Sequence, residues 1–252
     1  MPQFGYQTLG FGSGASGIEY QSMTFTSSGE LKVNSGGVCD ILVVAGGGGG
    51  GTGHMFGVGS FTAGAGGGAG GFRVFSNITL ADGGTNSTEY EVQVGGGGGN
   101  GNGSQSLIFY READGTAKWL SEDTSEGDNG KPEGGGRGGS AQNSGSHPAN
   151  GANGGSGGGA AFYHATGLCT AGSNAINYTG TSGADGHDGG DAFRYSSSYG
   201  SKGAAGGGGG GGAGSANQNR GTGGSGIVVF RFLSGAITFD GDTDGTLATY
   251  TA

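Results

Sequence analysis

Asp240, Asp242, Asp244 and Gly245 spell D-x-D-x-D-G, the first half of a calcium loop in which alternate carboxylates converge on one hard cation and glycine permits the sharp turn. Thr251 stands where the bidentate glutamate of such a loop belongs. The same residues therefore also read as an acidic turn between two short strands, AITF and TLATYT. Asp185, His187, Asp188 and Asp191 form a second polar cluster, whose simplest role in a glycine-rich turn is to bond exposed backbone. The histidines, His54, His147, His164 and His187, lack metal-ligand spacing. Matches to G-x-G-x-x-G are inevitable in so glycine-rich a chain and lack the strand-to-helix context that gives the motif meaning. Gly154 to Gly158 mimics G-x-S-x-G equally emptily, and no Walker lysine follows a phosphate loop. Cys39 and Cys169 are too few for a disulfide framework and too far apart for a zinc site, so both read as free thiols. The expectation is a protein without catalytic residues and without a cofactor, a Ca²⁺ ion at Asp240, Asp242 and Asp244 being the one exception the spacing suggests.

Recognition chemistry is better represented. One aromatic group holds His54, Met55, Phe56 and Phe61; a second holds Phe162, Tyr163 and His164; Tyr178 follows; a last group holds Phe193, Arg194, Tyr195 and Tyr199. Tyr and Arg offer broad, rigid, amphipathic contact surface, which suits sugar rings or the exposed loops of an outer-membrane protein. The competing reading is that these side chains shield glycine backbone from water. A third group, Phe4, Tyr6 and Phe11, lies in a glycine-rich stretch at residues 1–20 and reads as an attachment segment. Residues 111–133 carry seven acidic against three basic residues, a solvated excursion anchored by Trp119.

The elements that must carry these residues are unusual. Glycine makes up 71 of 252 residues, and Leu, Ile, Val and Phe only 39, a composition near the disordered range. Net charge is only −9, however, and aromatic content is 9%, so self-repulsion is weak. Collagen is excluded by runs such as Gly46 to Gly51 and by just 3 prolines. The acidic balance argues against nucleic acid and anionic membranes, which need clustered Lys and Arg. No apolar run approaches the roughly 18 residues that insert across a bilayer, and the opening MPQFGYQTLG has no signal-peptide pattern; a cytosolic product is expected. Sequons at Asn77, Asn86 and Asn177 carry no weight without secretion.

Segments 18–45, 72–80, 88–94, 104–110 and 227–239 hold 27 of the 39 bulky residues. They read as strands: MTFT, ELKV, CDILVVA, GFRVFSNITL, EYEVQV, QSLIFY and GIVVFRF. No segment repeats at 3.6, so essentially no helix is expected. Residues 134–226 hold 33 glycines and cannot make an apolar core. A structureless loop of that length is improbable. The ordered alternative is a bundle of threefold, left-handed extended rods of the polyglycine II type, about 3 residues per turn and 3.1 Å rise. Glycine keeps its N–H and lacks Cβ, so close-packed rods satisfy one another's peptide groups. Candidate rods are Gly46 to Gly51, Gly66 to Gly71, Gly95 to Gly99, Gly134 to Gly139, Gly154 to Gly159 and Gly206 to Gly212. The expected fold is all-β and irregular, a small antiparallel β module joined to a polyglycine II bundle. Its parts are an attachment segment (1–20), the β module with the first rods and the acidic excursion (21–133), the bundle with its aromatic loops (134–226), and a closing strand with a C-terminal extension (227–252).

The order MTFTSSGELKVNSGGVCDILVVAGGGGGGTG, AGGGAGGFRVFSNITL, EYEVQVGGGGGNGNGSQSLIF and finally GGSGIVVFRF resembles the glycine-rich domains of bacteriophage tail-fibre and fibre-like virion proteins, over roughly Ser22 to Phe232. The resemblance implies a virion surface protein made in the host cytoplasm, without membrane insertion. It is similar to glycine-rich tail-fibre adhesins, in which a polyglycine II bundle presents loops to a bacterial receptor, glycan or outer-membrane protein. A head fibre or decoration protein docked on the capsid through residues 1–20, and bound to other virion proteins, is the alternative. A homotrimer would suit a fibre, though no coiled coil marks one. A polyglycine II antifreeze protein would need a flat face of regular three-residue spacing, which the irregular aromatic groups oppose.

Overall fold

The computed structural model describes residues 17–51, 62–63, 65–81, 88–99, 101–111, 117–120, 134, 162–163, 168–169, 183–184 and 222–251. Among them are strands and no helix. In chain order the strands are β1 (Glu19–Phe25), β2 (Gly29–Ser35), β3 (Gly37–Val44), β4 (Thr62–Ala63), β5 (Phe72–Leu80), β6 (Thr88–Gln93), β7 (Leu107–Arg111), β8 (Ala117–Trp119), β9 (Phe162–Tyr163), β10 (Leu168–Cys169), β11 (Gly183–Ala184), β12 (Ile227–Leu233), β13 (Thr238–Phe239) and β14 (Thr246–Thr251). Every strand expected from the bulky segments forms. So do the two short strands on either side of the acidic turn.

Two antiparallel sheets enclose one core. The first runs β11-β5-β3-β12-β1-β14, the second β13-β2-β6-β7-β8, and a small third sheet runs β10-β9-β4. Alternation explains the layering, since successive residues of a strand face opposite sides. In β3, Cys39, Ile41 and Val43 turn inward, and in β12, Val228, Phe230 and Phe232 do so. Leu31, Val33, Tyr90, Val92 and Ile108 come from the second sheet to meet them, with Met23, Phe25 and Leu80 completing the contact. Phe25 and Phe230 meet edge to face with ring centroids 6.1 Å apart, a favoured aromatic geometry.

β12 lies between β3 and β1 although nearly two hundred residues separate it from either in sequence. Its register is Val228 opposite both Val43 and Phe25. The core is thus closed by the last bulky run of the glycine-rich chain. The sandwich also re-phases one strand. Cys39 pairs with Ile78 but Ile41 pairs with Phe75, so β5 carries an extra residue there. This bulge lets Arg73 and Phe75 face the same side as Ile78 and Leu80. Asn77 occupies it with φ of 58°, a conformation Asn tolerates better than most residues. The carboxylate of Asp40 accepts its N–H at 3.2 Å.

Candidate functional site

Where β3 ends, the apolar alternation stops and glycine begins. The N–H groups of Ala45, Gly48 and Gly51 donate to the carbonyls of Gly71, Gly68 and Ala65; those of Gly46 and Gly49 donate to Ser104 and Gly101; that of Gly47 donates to Gly224. Donors three apart return to one neighbour at acceptors three apart, and intermediate donors serve different neighbours. A pleated strand alternates between two sides and an α-helix bonds within itself, so this rotation over three directions is the polyglycine II arrangement. Gly223 and Gly226 likewise donate to Gly98 and Gly95, again three apart on both partners. Segments 45–51, 65–71, 95–99, 101–104 and 222–226 are therefore laterally bonded rods. The first spans about 22 Å at about 3.1 Å per residue.

Close approach makes glycine obligatory at the contacts. A Cβ on Gly103 would fall onto the carbonyl of Gly46, and one on Gly223 onto that of Gly47. At Gly96 and Gly224 nothing lies within 4 Å of such an atom, so these positions face outward. Asn102 and Ser104 are exposed on their rod. This explains why the mixed stretches 101–104 and 222–226 serve as rods although their sequences do not read as glycine runs. A threefold helix tolerates a side chain wherever a residue points away from its neighbours.

Ser106 joins rods to sandwich. Its buried hydroxyl donates to the carbonyl of Val44 at 2.6 Å and accepts from the N–H of Gly95 at 2.9 Å. Gly226 passes so close that a Cβ there would meet both the Val44 carbonyl and this hydroxyl. Neither residue is marked as functional by its sequence context; only a serine at the end of a glycine segment hints at a backbone-bonding role.

At the far end of the first rod pair, Gly51 bonds to Ala65, and the chain between them carries β4. There Thr62 pairs with Tyr163 and Ala63 with Phe162, while Tyr163 and Phe162 pair in turn with Leu168 and Cys169. Phe162 and Tyr163 of the second aromatic group are thus paired with residues 62–63, which follow the first group in sequence. Of the recognition residues, Phe162 and Tyr163 lie in β9. His54, Met55, Phe56, Phe61, His164, Tyr178, Phe193, Arg194, Tyr195 and Tyr199 lie outside the described residues, as do Phe4, Tyr6 and Phe11, the cluster Asp185 to Asp191, and the runs 135–139, 154–159 and 206–212. Gly134 is buried, and a Cβ there would meet Gly103.

The three aspartates of D-x-D-x-D-G point to different tasks. Asp244 accepts the N–H of Glu30 at 2.8 Å while its own N–H donates to the carbonyl of Glu30 at 3.0 Å. Asp240 accepts the N–H of Asp242 at 3.4 Å. Among the described residues no three His, Cys, Asp or Glu side chains converge as a metal site. The geometry is that of an acidic turn clipped to β2. Cys39 is free and buried, and burial, aided by the neighbouring Asp40 carboxylate, pushes its thiol up to about 12. Tyr90 is also raised, chiefly by burial; its hydroxyl accepts the Ala81 N–H at 2.8 Å.

An all-β sandwich prolonged by laterally bonded glycine rods is the class of protein these observations define. Residues 21–233 match the model of the glycine-rich domain, and the chain belongs to that family. The matched range runs from β1 to the last residue of β12, leaving β13 and β14 beyond it. No curated protein matches the chain.

Proposed function

We propose that the protein is a non-enzymatic component of a bacteriophage virion surface, a fibre-type adhesin whose glycine rods hold aromatic loops away from the sandwich for contact with a bacterial receptor. The observation that supports this best is the pairing of β4 with β9. It joins two segments about one hundred residues apart, 62–63 and Phe162–Tyr163, beyond the end of a backbone-bonded rod pair. Loops on rigid frameworks are where binding usually resides, and holding them there lowers the ordering cost of a contact. The likeness of CDILVVAGGGGGG and GGSGIVVFRF to phage fibre domains supplies the setting, and the receptor would be a cell-surface glycan or an outer-membrane protein.

Two experiments test the reading. Purified protein should bind host cells, and exchange of residues 160–202 for those of a related fibre should change which strains are bound; an unchanged range would remove the loops from recognition. Antibody labelling of particles should mark the tail. Signal on the head alone would move the protein to the capsid as a head fibre.

A further inference from the structure

The first sheet ends at β14. Among the described residues this strand pairs only with β1, and all six of its residues are exposed. Every second residue of an antiparallel edge strand turns its N–H and C=O outward. The sequence TLATYT contains no charge or proline, and its register with β1 is unbroken, so the usual devices that blunt a free edge are missing.

Its side chains prepare both faces for another strand. Leu247 lies opposite the buried Met23, on the inner layer, yet is 49% exposed. The reason is that the second sheet stops short at the two-residue β13. Between them opens a cleft of about 520 Å³ with Met23, Leu247, Ile237 and Phe239 as its apolar lining and Asp240 and Thr243 at its polar side. On the outer layer Tyr250 stacks on Tyr20, centroids 6.0 Å apart and planes 19° apart. The Arg231 guanidinium sits 5.3 Å from the Tyr20 centroid and 2.6 Å from Asp40. This ladder of charge and rings crosses four strands and stops at the free edge.

Charge narrows the occupant. Asp240 lines the cleft and Glu19 lies at the other end of β14, whereas among the described residues Lys32 is engaged with Glu30 and Glu89 and Arg231 with Asp40. A basic strand is favoured and an acidic one opposed.

We propose that β14 is an acceptor edge for an extended segment of a partner protein, with a large apolar side chain opposite Leu247 and Arg or Lys opposite Tyr250. The two are three residues apart and so emerge on opposite faces of the incoming strand. Main-chain bonds to β14 supply affinity, as in other strand-addition complexes. The apolar residue enters the cleft, and the cation stacks on Tyr250. The inference is independent of the receptor-binding role proposed for the loops.

The probe is the peptide acetyl-Thr-Arg-Thr-Thr-Leu-Thr-Val-Thr-amide, written for antiparallel addition, titrated into the full chain. Its control moves Arg one position towards Leu, onto the same face. The first peptide should bind at least about tenfold more tightly, a difference of about 1.4 kcal/mol. Leu247→Glu and Tyr250→Ala should each weaken it by a similar factor at a temperature where circular dichroism shows both variants still folded, whatever melting temperature the lost Tyr20 and Met23 contacts cost. No binding, equal affinity for both peptides, or indifference to both substitutions would overturn the proposal. So would sedimentation showing a dimer that Leu247→Glu dissociates and the peptide does not, because the edge would then serve a second copy of this chain.

Discussion

Asn77 shows how much a single backbone conformation can decide. Its left-handed φ lets β5 absorb one extra residue opposite Asp40, and without that residue Ile78 and Leu80 would face away from the core. A β-branched side chain there meets the steric penalty of the left-handed region, about 1–2 kcal/mol. Asn77→Val should therefore lower stability by at least that amount in denaturant titration, while Asn77→Gly should remain within about 1 kcal/mol of the parent. Ser106 acts through hydrogen bonds instead. Ser106→Ala leaves the buried Gly95 N–H and one bond of the Val44 carbonyl unmade, and the loss should be about 1–3 kcal/mol. Cys39 carries a pH signature. Its thiol ionises near 9.0 in the unfolded chain and near 12 in the fold, so on raising the pH the unfolded state loses its proton first. The contribution of the protonated thiol to stability is complete below pH 9 and is lost between there and 12. Alkaline unfolding should begin later in Cys39→Ala than in the parent, and a thiol reagent at pH 8 should label Cys39 only after denaturant is added.

The rods are elements held by backbone geometry, so their response to mutation should depend on direction within the threefold helix. Gly103→Ala drives a methyl group into the Gly46 carbonyl and should destabilise by about 1–3 kcal/mol, as overpacking does. Gly96→Ala points into open space at a backbone without positive φ, and should be neutral or stabilising by up to about 1 kcal/mol through loss of unfolded-state entropy. A thermal-melt comparison of the two variants checks the assignment, since a flexible glycine linker would accept both alike. Amide exchange gives a second test. The N–H groups of Gly46, Gly47, Gly48 and Gly49 should exchange as slowly as those of β12, because each is bonded to one of the three neighbouring rods.

The sandwich and the rods divide the labour of holding the chain together. Apolar burial closes the sandwich around β12, and lateral amide bonding extends that order where too few bulky residues remain to make a core. The two are welded at Val44, Gly95, Ser106 and Gly226, which should make rods and sandwich unfold together. A single melting transition in calorimetry is expected; an early, separate loss of glycine amide protection would mean the rods are an independent unit. Exchange of residues 160–202 replaces β9 and β10 of the small sheet and the two-residue β11 at the edge of the first sheet, so it should alter binding while the loss of melting temperature stays within the few degrees that one short edge pairing contributes.

Alternation made most of the sandwich legible from the chain alone: CDILVVA, GIVVFRF and their partners show which residues turn inward, because a strand with one buried face must place its bulky residues at every second position. The glycine runs 46–51, 66–71 and 95–99 were equally telling about the rods they form, since only residues without Cβ permit such close packing. Pairing partners were beyond reach. That β12 inserts between β1 and β3, that 101–104 and 222–226 act as rods despite Asn, Ser and Thr, and that Asp244 clips a turn to β2 all depend on which distant backbone lies alongside. Composition states what each segment is able to bury or bond, but the choice among neighbours is made only when the chain closes on itself and every buried amide must find an acceptor.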